Sequence, residues 1–185
     1  MTAGCGSTGA HKTEASGIPR QVLRESRPIG AGPRFQPSAT GPVLPCRSSL
    51  GPRFGVHVEL FAANRVVIVP AGIGTLPPRA FSAGRISAAR CYGSLVTLEP
   101  TGLVLVRPGS RQSLSDLFRS WGQPLSPQRL ASFTAAAGSR VAVFVDGRRW
   151  GGRPGSVPLT RHREIVLEIG PHVPPHVSYT FPRGT

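Results

Sequence analysis

Histidine is the commonest metal ligand and the one side chain that ordinarily titrates near neutral pH. Four of the five histidines in this 185-residue chain, namely His57, His162, His172 and His176, are therefore the first candidates for a metal-binding or redox accessory role. His172 and His176 are four apart in His172-Val-Pro-Pro-His176, a spacing that on a helix would turn two imidazoles the same way. Pro174 and Pro175 forbid a helix there and leave an extended segment. Geometry then separates the two rings, and surface histidines in a proline-rich tail are expected. His57 falls on a strand, opposite three aliphatic side chains, where a partly exposed histidine is commoner than a ligand. No metal or cofactor is assigned.

Hydrolytic chemistry needs a nucleophile, a base and an acid that orients the base. No Gly-x-Ser-x-Gly occurs, and Asp116 and Asp146 are explained as a helix cap and a turn residue. Glu164 and Glu168 are the one carboxylate pair conceivable for glycoside cleavage, but they share an outward strand face and are expected in solvent. Gly151-Gly-Arg-Pro-Gly155 lacks the Lys-Ser/Thr and the following helix of a phosphate loop. The expectation is a protein that is not an enzyme.

Three cysteines, Cys5, Cys46 and Cys91, suggest in an exported protein one disulfide and one cysteine with another task. Cys46 precedes the first expected hairpin and Cys91 the next, so a Cys46–Cys91 bridge is predicted, with two free thiols as the alternative. Met1-Thr-Ala-Gly-Cys5-Gly-Ser7 resembles the cleavage end of a bacterial lipoprotein signal, where small residues precede a cysteine that becomes lipidated. The resemblance implies a lipid anchor on Cys5 at the outer face of the cell membrane. It requires a basic and apolar leader upstream of Met1.

Net charge is +14, from 21 arginines and one lysine against eight acids. The excess is spread along the chain, and aromatics make up only 6%. A nucleic-acid binder concentrates charge on one face with aromatics interleaved for stacking, so no nucleic-acid partner is expected and the basic nucleic-acid-binding protein is the last alternative. Attraction to an anionic wall polymer or to lipid headgroups fits diffuse charge better. No apolar run approaches the 18 residues of a membrane span.

Residues 1–54 are rich in Gly, Pro, Ser and Arg with isolated apolar residues. They cannot bury enough surface to offset ordering, and read as a tether. One folded domain is expected over 55–170. Val56, Val58 and Leu60 alternate with polar residues, Ala62-Ala-Asn64 turns, and Arg65 to Val69 returns, which makes a hairpin. Thr75 to Arg90, with Pro77-Pro78, reads as a connecting loop. Gly93 to Glu99 and Leu103 to Arg107 form a second hairpin turning at Pro100-Thr-Gly102. Ser113 and Asp116 cap a helix whose Leu114, Leu117, Phe118 and Trp121 share one face, with Gly122 as its stop. Ser126-Pro127 announces a second helix carrying Leu130 and Phe133 up to Gly138. Val141 to Val145 is a strand ending in Asp146-Gly147, and Arg148 begins a short return. Glu164 to Ile169 is a half-buried strand with Ile165, Leu167 and Ile169 inward. Residues 171–185 form a Pro-rich tail in which Val177 to Phe181 is a possible edge strand.

Strand, Pro108-Gly109, the Ser113-Leu-Ser-Asp-Leu117 helix, a strand ending in Asp146-Gly147, Pro158-Leu159 and a last strand ending in Gly170 together resemble the β-grasp pattern of ubiquitin-like domains. Bacterial sulfur carriers are the nearest in pattern. The resemblance covers roughly Leu95 to Gly170. It implies an α+β fold: a small mixed sheet packed by one or two helices, with the first hairpin as an N-terminal extra. A β-sandwich is the alternative. Sulfur-carrier chemistry runs through a C-terminal Gly-Gly, whereas this chain reads Arg183-Gly-Thr185, and the clustered cysteines of β-grasp ferredoxins are missing.

Val56-His-Val-Glu-Leu-Phe61, Val69-Pro-Ala-Gly-Ile-Gly74, Cys91-Tyr92, Glu99-Pro-Thr-Gly102, Leu117-Phe-Arg-Ser-Trp-Gly122, Phe144-Val-Asp-Gly147 and Ile165-Val-Leu-Glu-Ile-Gly170 together look like a group of uncharacterised bacterial exported proteins. More distant members carry His-Thr-His after the Cys-containing strand, a spacing suited to metal. The matching positions here are Val96, Thr97 and Leu98, which offer no nitrogen ligand. The lipoprotein-like start and the resemblance to exported proteins together imply a non-catalytic, membrane-tethered binding module of the cell envelope. The edge of the first hairpin and the Thr75–Arg90 segment are the expected contact region for a polymer or protein partner.

Overall fold

Alternating aliphatic residues in the first and last strands require a cover on each side of any sheet they build, and two different parts of the chain supply it. A computed structural model describes Ile29, Gln36, Pro37 and residues 45–185. The central strand, β1 (Phe54–Ala62), points Val56, Val58, Leu60 and Ala62 to one side, each at most 2% exposed. Short β2 (Arg65–Val66) folds back on its end. Strands β5 (Leu95–Val96) and β6 (Leu103–Val106) form the second hairpin, with Leu95 opposite Val106.

Helix α1 (Leu114–Trp121) starts where the Ser113 N–H and hydroxyl both donate to Asp116 Oδ2, at 2.9 and 2.8 Å. It stops at Gly122, which is left-handed. Its apolar stripe, Leu114, Leu117, Phe118 and Trp121, is buried against Val58, Leu60, Val104, Ile165 and Leu167 in one cluster. Beyond it lie β10 (Ala142–Val145), its short return β11 (Arg148–Arg149) and β12 (Glu164–Ile169). The main sheet runs β11-β10-β12-β1-β6-β5. Strands β1 and β12 lie parallel at its centre, and β6 and β10 flank them antiparallel. This is a mixed, sheet-rich α+β arrangement with one α-helix among the described residues. The first strand is thus not an appended extra but the middle of the sheet.

Three expected elements differ. Residues 75–92 are not a loop but a long hairpin, β3 (Thr75–Ser82) and β4 (Arg85–Tyr92), turning at Ala83-Gly84 with both residues left-handed. Pro77 and Pro78 sit where the register shifts between Leu76 and Arg79, so their missing N–H groups interrupt the ladder where it is already broken. Residues 125–134 are not a helix but a meander, β7 (Leu125–Ser126), β8 (Arg129–Leu130) and β9 (Phe133–Thr134). Two apolar anchors are too few to stabilise a helix there, and the carbonyls of Pro124 and Pro127 accept instead from Ala131 and Val141. The tail from Pro171 adds no strand. It runs over the face of the sheet opposite α1.

The predicted disulfide joins Cys46 to Cys91, with Cα atoms 5.6 Å apart, beside a backbone bridge between Arg47 and Tyr92. Residues 45–53 therefore belong to the domain and not to a tether. Ile29 likewise pairs with Val67. Apart from Gln36 and Pro37, the rest of the expected tether, including Cys5, lies outside the described residues. No helix among the described residues is long and apolar enough to cross a membrane.

Candidate functional site

Side chains on a strand alternate between faces, so the aliphatic half of β1 facing α1 leaves His57 and Glu59 together on the opposite face. Parallel register sets His57 opposite Glu164 of β12, and the same alternation turns Glu164 and Glu168 to that face. The expectation of solvated glutamates and a partly exposed His57 fails: exposures are 5% for His57, 1% for Glu164 and 3% for Glu168. Outward on the strand is not outward to water here, because the tail lies across this face.

His57 Nδ1 lies 2.8 and 3.1 Å from the two oxygens of Glu164, and Nε2 lies 2.9 Å from the Thr101 carbonyl oxygen. A carbonyl only accepts, so Nε2 carries a proton and donates it to Thr101. Gly102, beside that carbonyl, is left-handed, and a Cβ there would fall 2.5 Å from Val58 O and 3.0 Å from His57 Nε2. Glycine is thus what allows the turn to close on the ring. One potential ligand atom from each of His57, Glu59 and Glu164 lies within 4.8 Å of the others. Burial pushes the pKa of His57 down, but the hydrogen bond and charge of Glu164, the Thr101 carbonyl and Glu59 outweigh it and raise it. Burial raises Glu164, against the hydrogen bond and charge of His57. Both directions mean that the buried pair holds a proton to higher pH than its parts do in water.

The tail supplies the rest. His172 Nδ1 meets Glu168 Oε2 at 2.8 Å, His176 Nδ1 meets Glu59 Oε2 at 2.7 Å, and the Tyr179 ring stacks on His57 at 3.8 Å. Phe181 follows over Gly55 and stacks with His162. His162 itself bonds the Thr185 carbonyl at 2.6 Å. The four candidate histidines therefore do not make one site. His57 shares a cluster with Glu59 and Glu164, His176 touches its edge through Glu59, His172 keeps its own carboxylate, and His162 is elsewhere. Glu59, Thr101 and Tyr179 escaped the sequence reading. The available signal was Tyr179 and Phe181, two aromatics on one side of the tail that settle on His57 and over Gly55, while Val177 stays 67% exposed.

A second feature lies near the disulfide. Arg53 is 6% exposed, and burial, then Arg107 and Arg47, lower its pKa to about 10. It is held by the Leu50 and Ser94 carbonyls. A third is a cleft of about 350 Å³ bordered by Ile68, Pro70, Arg79, Phe81 and Pro100, with Phe81 64% exposed on the long hairpin. No family model, curated protein or solved structure matches this chain.

Proposed function

We propose that the protein is a non-catalytic binding module of the cell envelope, carried on a β-grasp-like sheet and anchored through lipid on Cys5 to the outer face of the membrane. The observation that carries this reading is the Cys46–Cys91 disulfide, since such bridges persist mainly in oxidising compartments. Strand order supports the β-grasp-like description: two parallel central strands, an antiparallel neighbour on each side and one helix over one face. The resemblance to bacterial exported proteins agrees with the same location.

The cleft beside the long hairpin is the contact region. It combines an exposed aromatic, Phe81, with a chain of net charge +14, which suits an anionic wall polymer or a protein partner better than a nucleic acid. Arg79 is tied back to the Thr75 hydroxyl and carbonyl at 2.8 and 2.7 Å, so the cleft floor is set before any partner arrives.

Fractionation of cells expressing the gene with its native upstream DNA tests the location. Membrane recovery and incorporation of a labelled fatty acid are expected for the native protein, and both are lost in Cys5→Ser. A native protein that takes up no label and stays in the soluble fraction would overturn the anchor. Sedimentation with isolated envelope material tests the binding: Phe81→Ala should weaken it without changing the melting temperature.

A further inference from the structure

We propose that His57, Glu59 and Glu164 form a binding site for a first-row divalent cation, Zn²⁺ above all, with His176 of the tail as its closing ligand. This goes beyond the envelope reading and does not depend on it.

Charge is the first support. Basic residues outnumber acids 22 to 8 along the chain, yet Glu59, Glu164 and Glu168 gather on one sheet face with His57, His172 and His176. With neutral imidazoles, the four proposed ligands carry two negative charges, which a divalent ion cancels. Two carboxylates gathered in one cluster repel each other unless a proton or a cation is held between them.

Proton placement is the second. Because Nε2–H is committed to the Thr101 carbonyl, a neutral His57 presents its Nδ1 lone pair to the Glu164 carboxylate. An acceptor facing an acceptor needs a positive centre, either a proton or a metal. The arrangement of one ring nitrogen toward the site and the other N–H on a backbone carbonyl is the one that metal-bound histidines adopt, since the carbonyl fixes tautomer and ring orientation. Tyr179 stacked at 3.8 Å fixes the ring further.

Dimensions and access agree. Zn–N and Zn–O bonds of about 2.0–2.2 Å put tetrahedral ligand atoms about 3.3–3.5 Å apart. The 2.8 Å contact between His57 and Glu164 therefore has to open by only about 0.5 Å. A cleft of about 240 Å³, bordered by Val66, Pro100, Thr101 and Gly102, reaches Glu59 of the cluster. Mixed nitrogen and oxygen donors suit Zn²⁺ and its first-row neighbours better than Mg²⁺ or Ca²⁺.

The test uses the untagged full chain, stripped with a chelator and titrated with Zn²⁺ against a fluorescent competitor, with Co²⁺ as a spectroscopic probe. One equivalent should bind with a submicromolar Kd, and Co²⁺ should give a visible spectrum of low symmetry. Glu59→Gln and Glu164→Gln should each weaken Zn²⁺ binding at least about tenfold. His176→Ala should weaken it and change the Co²⁺ spectrum, while His172→Ala should do neither. If Glu164→Gln does not fold, Glu59→Gln and His176→Ala decide, because those side chains are 21% and 66% exposed. Absence of one-equivalent binding would overturn the proposal and leave the proton as the sole occupant. Binding undiminished by Glu59→Gln and His176→Ala would do the same.

Discussion

Breaking the Cys46–Cys91 bridge is the perturbation whose magnitude is best defined. The two residues are 45 apart in sequence, and the loop they close contains β1, β2 and the long hairpin up to Cys91. On the loop-entropy account, cross-linking a loop of that size removes about 13 cal/mol/K from the unfolded chain, or about 4 kcal/mol at 25 °C. For a domain of this size that corresponds to a fall in Tm of roughly 8–16 °C. The Arg47–Tyr92 backbone pair and the Arg53 side chain on Leu50 and Ser94 hold the same segment and work against that loss. Without the bridge they must order 45–53 alone. The assay is urea unfolding of Cys46→Ser/Cys91→Ser beside the oxidised native chain, followed by fluorescence of Trp121, which is buried. A difference below about 1 kcal/mol would refute the reasoning. It would mean that these contacts already confine residues 45–53, or that the unfolded chain keeps the two segments together.

Other perturbations probe other parts of the molecule. Trp121→Ala empties the centre of the helix-side core and should cost about 3–5 kcal/mol, read from denaturant midpoints. Gly102→Ala puts a Cβ against Val58 O in a left-handed backbone and should cost at least about 1–3 kcal/mol. Its imidazole NMR signals should show His57 displaced, whereas Gly84→Ala, open around its Cα, should leave them in place. Burial raises the pKa of Asp116, but hydrogen bonds from Ser113 and the charge of Arg119 outweigh it and hold it below the usual carboxylate value. A lowered pKa means that the unfolded chain takes up the proton first. The contribution of this carboxylate is thus complete above about pH 4 and disappears as pH falls through its native value. Asp116→Asn should flatten that part of the acid limb in a stability-against-pH series and leave the neutral region parallel to the native curve.

Local chemistry was legible where one residue type decides the outcome. Ser113, Asp116 and Gly122 mark a helix by capping, and Asp146-Gly147 marks a turn, wherever the rest of the chain goes. The half-buried pattern of Glu164 to Ile169 was also correct about which side faces the helix core. It could not reveal that its other side is covered, because that cover comes from residues 171–181, which form no repeating element and have no periodicity to read beyond three alternating apolar residues. The candidate cluster was missed for the same reason: His57 and Glu164 are neighbours only through a parallel pairing across 107 residues. Pro77-Pro78 concealed the long hairpin, since prolines argue against a ladder unless the register breaks where they stand. In 125–138, Ser126-Pro127 is a sound helix start followed by a segment with almost nothing to bury along one side.

The proline-rich segment after Gly170 has a consequence for handling the protein. Shortening the chain there would spare the helix-covered layer but uncover Phe144, Glu168 and the His57–Glu164 pair together, an aromatic edge around a charged centre. Such a surface invites self-association, so a truncated version would be a poor stand-in for the whole, soluble or not, and a bulky fusion at that end would strain the same lid from outside.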